Sequence, residues 1–205
     1  MVERNFISTQ ITNMNKQVKV IIGTSLQKEF TEGVYSSEEN KNLVPEIVKY
    51  FNEQDPSTTI FIMLADAHYE NYEHTLEAKF NSIKHCIKGS DMAEIIPEVL
   101  NCMENKEHAI TINKSALAAD LLPVVMMQTI TESRYNLARE EPPVIKEVEF
   151  VGFNFSKDIF VNMALLRSYY PNMNLVVNTS LCNDNDKEAL ENTIKVLPNM
   201  LVTTK

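Results

Sequence analysis

Six short apolar runs punctuate this chain, and most of the stretches between them carry apolar residues at helical spacing. The runs are residues 17–25 (QVKVIIGTS), 58–66 (TTIFIMLAD), 108–113 (HAITIN), 144–153 (VIKEVEFVGF), 173–180 (MNLVVNTS) and 199–204 (NMLVTT). They read as strands. Between them, residues 38–54 repeat apolar side chains at Leu43, Ile47, Val48 and Phe51, the mark of an amphipathic helix. Residues 92–103, 121–138, 156–170 and 186–197 read as further helices, the third of them opened by Ser156. Strands joined through helices need crossover connections, which keep neighbouring strands parallel and place helices on both faces. The expected architecture is therefore α/β: an open, doubly wound, mostly parallel six-stranded sheet. A chain of 205 residues suits one domain over 1–205.

Composition narrows the function classes. A formal net charge of -9 opposes binding to a phosphate backbone, which draws on clustered Lys and Arg. No nucleic acid is expected. The apolar runs are shorter than the ~20 residues of a spanning helix, and the first ten residues, MVERNFISTQ, lack the apolar core of a signal peptide. The expectation is a cytoplasmic protein with no membrane contact. Three scattered cysteines, Cys86, Cys102 and Cys182, do not form a disulfide framework. Only four glycines occur, and none makes a phosphate-cradling loop. In open parallel sheets, ligands bind beyond the carboxyl ends of the strands, so the loops starting at Ser25, Asp66, Lys114 and Phe153 are the ones to watch.

The second of these loops is unusual. Residues 66–86, DAHYENYEHTLEAKFNSIKHC, hold three of the four histidines of the chain. Asp66 and His68 stand two apart at a strand exit, where their side chains share a direction. With His74 and His85 they make an oxygen and nitrogen donor set suited to Zn²⁺, Fe²⁺ or Mn²⁺. Scattered histidines in a polar loop are the plainer alternative.

The same stretch resembles the nicotinamidase and isochorismatase-like cysteine hydrolases. The likeness rests on Asp66-Ala67-His68, then His74, then His85-Cys86-Ile87-Lys88-Gly89-Ser90 and Ala93-Glu94-Ile95-Ile96-Pro97. IIGTSLQKEF, with Gln27 and Phe30, and VGFNFSKDIFVNMALL extend it over essentially the whole chain. The resemblance implies a pocket at the strand ends and a divalent transition metal (zinc, iron or manganese) held by Asp66, His68, His74 and His85. It also implies a Cys-Asp-Lys triad, a small-molecule ligand and a homo-oligomer.

Two of the three triad positions depart from that pattern. Ser25 stands where the family has its aspartate. Counting six residues from Gly152 to the family's cysteine reaches Asp158, and a slip of two reaches Phe160. Lys114 resembles the family's lysine, although an exposed lysine after a strand would look the same. None of the three cysteines opens a helix after a strand, where backbone N–H groups would favour a thiolate. Asp158 suits the first turn of a helix, so a structural role is the simpler reading; the alternative is a carboxylate facing the pocket. These departures favour a member of the fold that is inactive as a cysteine amidohydrolase and works in ligand binding or assembly. The alternatives are a metal-dependent hydrolase using activated water, with Asp158 or Glu29 as base, and a divergent enzyme for an isochorismate-like substrate.

Overall fold

The computed structural model describes residues 17–104, 106, 108–135 and 144–205. Six parallel strands form one sheet: β1 (Gln17–Thr24), β2 (Thr59–Asp66), β3 (Ala109–Lys114), β4 (Val144–Gly152), β5 (Leu175–Cys182) and β6 (Val202–Thr204). Their order is β3-β2-β1-β4-β5-β6, with every pairing parallel. The helices are α1 (Glu38–Asn52), α2 (Leu76–Phe80), α3 (Pro97–Glu104), α4 (Leu122–Tyr135), α5 (Phe160–Tyr169) and α6 (Lys187–Val196).

The central strands are buried on both faces, which is why they read as unbroken apolar runs. Successive side chains take opposite sides. Val18, Val20 and Ile22 of β1 join Ile60, Ile62 and Leu64 of β2 in a core closed by Leu122 and Met126 of α4 and Met163 and Leu166 of α5. Ile21, Phe61 and Met63 face the other way, against Val44, Ile47 and Phe51 of α1 and Val99 of α3. The sheet is thus covered on both sides, as the alternation requires.

One charge sits inside this framework. Glu149 of β4 is fully buried and meets Lys19 Nζ at 2.5 Å and Lys205 Nζ at 2.6 Å. The Tyr50 hydroxyl donates to it from α1. Burial pushes its pKa up, but these donors outweigh burial and leave it below the usual glutamate value.

Element boundaries differ from the sequence reading in places. Residues 92–96 are not α-helical: a 3-10 turn at Asp91–Ala93 leads to Ile95, which bridges Gln27, and α3 starts at Pro97. Ser156 does not cap a helix. Its hydroxyl donates to Asp184 Oδ2 inside a π-helical turn, Phe155–Ile159, that precedes α5. Residues 197–200 form a 3-10 turn, which delays β6 to Val202. Residues 136–138, expected to end a helix, lie outside the described residues.

Candidate functional site

Strand order reverses between β1 and β4, so the crevice of this sheet opens beyond the carboxyl ends of those two strands. Gly152 brings the strands together there. Its φ is 124°, and a Cβ on it would lie 2.2 Å from the Thr24 carbonyl oxygen. Only glycine permits that approach. The Phe153 N–H then donates to the same oxygen at 3.0 Å. Beyond it, Asn154 adopts a left-handed conformation and the π turn follows; such turns recur at functional sites. Ser25, the first residue after β1, is also left-handed at φ 56°. These two turns set Ser25 against Asp158.

Five side chains meet at the crevice floor. Ser25 Oγ donates to Asp158 Oδ2 at 2.6 Å, and Asn154 Nδ2 donates to the same oxygen at 2.8 Å. Lys114 Nζ, at the end of β3, donates to Asp158 Oδ1 at 2.9 Å and to Asp66 Oδ1. All but Asn154 are buried: Ser25, Asp66, Lys114 and Asp158 are each less than 5 % exposed. Burial works against the charge of Lys114, yet Asp158 and Asp66 outweigh it and hold the lysine above its usual pKa. Burial, then the Asp158 charge, raises Asp66 above the ordinary carboxylate range, with Lys114 pulling the other way.

A second group stands beside the first. His68, Glu77 and His85 each bring one ligand atom within 4.8 Å of the others. His85 Nδ1 is 2.9 Å from the Ile83 carbonyl, so a proton on that nitrogen leaves Nε2 as an acceptor, the arrangement that orients metal-binding imidazoles. His68 Nε2 is buried and has no hydrogen-bond partner. Burial, then His85 and Lys114, lowers the His68 pKa to about 4, so the ring is neutral at pH 7. Two imidazoles and a carboxylate fit a divalent transition metal, and the orphaned nitrogen is the kind of atom such an ion satisfies. The loop is tied down by Gln27, whose side-chain amide accepts from the Asp66 N–H at 2.7 Å and donates to the Asp66 carbonyl at 2.8 Å.

Every side chain of the two groups except Ser25 lines a cavity of about 960 Å³, closed in by α2 on one side and the residues after β3 on another. A more open groove of about 650 Å³ beside α1 and α3 carries none of these groups.

Solved structures share this architecture. The zinc complex of pyrazinamidase from Pyrococcus horikoshii superposes with a TM-score of 0.70 at 15% identity, over 93% of this chain and 99% of the other. A nicotinamidase/pyrazinamidase from Bacillus subtilis gives 0.73 at 12% identity, over 91% and 98%. An isochorismatase-like hydrolase from Alkaliphilus metalliredigens gives 0.70 at 12% identity, over 93% and 95%. The chain has the nicotinamidase and isochorismatase-like hydrolase fold. No protein-family model matches the sequence, and no curated protein matches it.

Within this isochorismatase-like fold the residues named from sequence separate into three sets. Ser25, Lys114 and Asp158 converge on one floor. Asp158 lies in the first turn of the π helix that runs into α5, as the helix-end reading expects, and it also faces the cavity: it is 1 % exposed and contacts the crevice lysine. His68 and His85 converge beside that floor, but Asp66 is paired with Lys114 and stands outside the trio that includes Glu77. His74 stands elsewhere. It belongs to a 3-10 turn, Tyr72–His74, with its side chain 79 % exposed and 3.9 Å from Glu73. Glu29 is also outside the cavity lining; its oxygens accept from the N–H groups of Val34 and Cys86. Glu77 was not singled out from sequence. Its signal is Thr75, which caps α2 by accepting from Ala78 N and so starts a short helix with Glu77 in its first turn. None of the three cysteines lines the cavity. Burial raises the pKa of each, making none a ready thiolate. Among the described residues, no helix is long and apolar enough to cross a membrane.

Proposed function

We propose that this protein is a non-hydrolytic relative of the cysteine amidases of this fold: it binds a small ligand in the cavity, with a divalent transition metal at His68, Glu77 and His85. One observation carries the reading. Where the resemblance places a thiol, the cavity presents Asp158, whose oxygens are already engaged by Ser25, Asn154 and Lys114. A carboxylate so held is a poor nucleophile and a weak base. Ser25 offers no substitute, because it is fully buried behind the lining and gives its proton to Asp158. What survives is a pocket with donors, acceptors and metal ligands.

When bound, the metal would act as a Lewis acid toward a ligand carbonyl or ring nitrogen. The chain's own residues hold the two imidazoles in place, orient Glu77 from α2 and keep a counter-charged floor beneath. Zinc added to metal-free protein is expected to raise the unfolding temperature by several degrees through preferential binding to the folded state. His68→Ala and Glu77→Gln should abolish that rise, and His74→Ala should leave it intact. Incubation with nicotinamide and pyrazinamide should release no ammonia above background. Turnover by the unmodified protein overturns the non-hydrolytic reading.

A second reading is favoured by Asp66, whose raised pKa suits proton transfer near neutral pH. Hydrolysis of a small amide by metal-activated water would use Asp66 as that proton acceptor. In that case zinc-dependent ammonia release would persist in the Asp158→Asn variant and vanish in Asp66→Asn.

A further inference from the structure

The histidines of the trio and its carboxylate are held in different ways. His68 follows β2 directly and pairs with the chain after His85: its N–H donates to the Cys86 carbonyl at 3.0 Å, and its carbonyl accepts from the Lys88 N–H at 2.8 Å. Both imidazoles are buried, and the ring of Tyr72, itself 1 % exposed, stands edge-on to each of them. The two histidines are thus anchored in the body of the fold. Between them the chain leaves that body and returns, and α2 lies on the excursion.

α2 contains no buried residue. Leu76 and Phe80 are 69 % and 88 % exposed, so little apolar burial fastens the helix, and five residues are far too few for a helix stable by itself. Its flanks are pinned by Asn81, whose carbonyl accepts from the Tyr72 hydroxyl at 2.9 Å and whose Oδ1 accepts from the Tyr35 hydroxyl at 2.7 Å. A segment with few buried contacts opens at low cost while the rest of the fold stays closed. Here that segment is a wall of the cavity, lined by Thr75, Leu76, Glu77, Phe80 and Asn81.

Glu77 is the residue of α2 that belongs to the trio. Its Oε1 lies 3.8 Å from His85 Nε2 and 4.0 Å from His68 Nε2, beyond hydrogen-bond reach. Bonds of about 2.0–2.2 Å to one tetrahedral ion hold ligand atoms about 3.3–3.6 Å apart, so coordination draws Glu77, and α2 with it, toward the buried histidines. We infer that α2 is a strap: through Glu77 it is fastened over the cavity when a divalent ion occupies the site of His68, Glu77 and His85, and it swings the cavity wall open when none does. Such a strap presupposes the metal site proposed above and adds to that site control over access to the cavity.

Hydrogen exchange of the full chain, read by mass spectrometry with and without zinc, tests the strap. Zinc well above its Kd should slow exchange roughly tenfold or more in peptides covering residues 75–81. Peptides from α6, another helix without a buried residue, should be unchanged. Trypsin cleavage after Lys79, an exposed residue of α2, should slow in parallel. Glu77→Gln keeps both histidines, yet its residues 75–81 should exchange at the zinc-free rate at zinc concentrations that fasten the parent protein. Ala78→Gly alters no ligand atom; by loosening the helix it should weaken zinc binding about twofold to fivefold, because the closed strap is less populated. A zinc-induced rise in unfolding temperature that His68→Ala abolishes, with no slowing at 75–81, overturns the strap and leaves the metal site standing. Absence of zinc binding overturns both. Slowing of α6 as large as that of α2, the same protection in Glu77→Gln as in the parent, or undiminished zinc affinity in Ala78→Gly also overturns the strap.

Discussion

Lys114 is the residue on which the crevice turns. Its ammonium faces two buried carboxylates, so its removal leaves Asp66 and Asp158 unpaired beside each other. Breaking a buried pair from one side typically costs about 3–5 kcal/mol, and Lys114→Ala should lose stability of that order in urea unfolding. Asp158→Asn should lose much less, because an amide oxygen still accepts from Lys114 or Ser25 and Asp66 still balances the lysine. Equal losses in the two variants would contradict this account. Little of it was legible in the sequence. Ser25, Lys114 and Asp158 are separated by 44 residues or more, and only the sheet order shows that three strand exits share one crevice. The histidines were easier, since His68 and His85 lie in one loop. Spacing could not say which way His74 or Asp66 points.

Among the elements, the strands were the most legible. Burial on both faces writes itself as a nearly unbroken apolar run in β1 and β2, and the shorter or more polar runs of the other four strands were still legible between their helices. α2 was not, for five residues give no periodicity to read, and its apolar members Leu76 and Phe80 face outward. The π turn before α5 was equally hidden: Ser156 looks like a cap, but its hydroxyl is drawn away by Asp184. Gly152 was visible only as a glycine after a strand, while its role depends on Thr24 from another strand. Gly152→Ala would force a left-handed alanine against a backbone oxygen. A loss of at least ~2 kcal/mol is expected. Because the turn carrying Asp158 hangs from this contact, the variant should also separate Ser25 from Asp158. A variant as stable as the parent protein would show that the close approach is not needed.

For the molecule as a whole, the architecture is shared where the sequence is not: identity to the three structures compared above is 12–15%. What holds the two halves of the sheet in register includes the Glu149 knot, which joins β1, β4, α1 and the residue after β6. Its pH dependence has a definite sign. The folded-state pKa of Glu149 lies below the usual 4.5, so its contribution is fully present above that value and is lost as pH falls through the lower, folded one. Glu149→Gln should therefore be less stable than the parent at pH 7, and the gap should narrow as unfolding is followed below about pH 4.5. A gap that stays constant down to acid pH would remove the ion pairs as its cause.

The two halves of the cavity also differ in how far along the chain they reach. His68, Glu77 and His85 fall within one connection between β2 and α3, whereas the Ser25–Asp158 contact joins residues 133 positions apart. Closing a long loop is slow and comes after local contacts have formed. In refolding, the histidine loop and the Lys114–Asp66 pair can gather before β4 has docked, and Asp158 can join them only when β4 closes on β1. Zinc present from the start would, on the proposed reading, meet His68, Glu77 and His85 in a half-built protein, and Asp158 would be the last-placed part of the pocket.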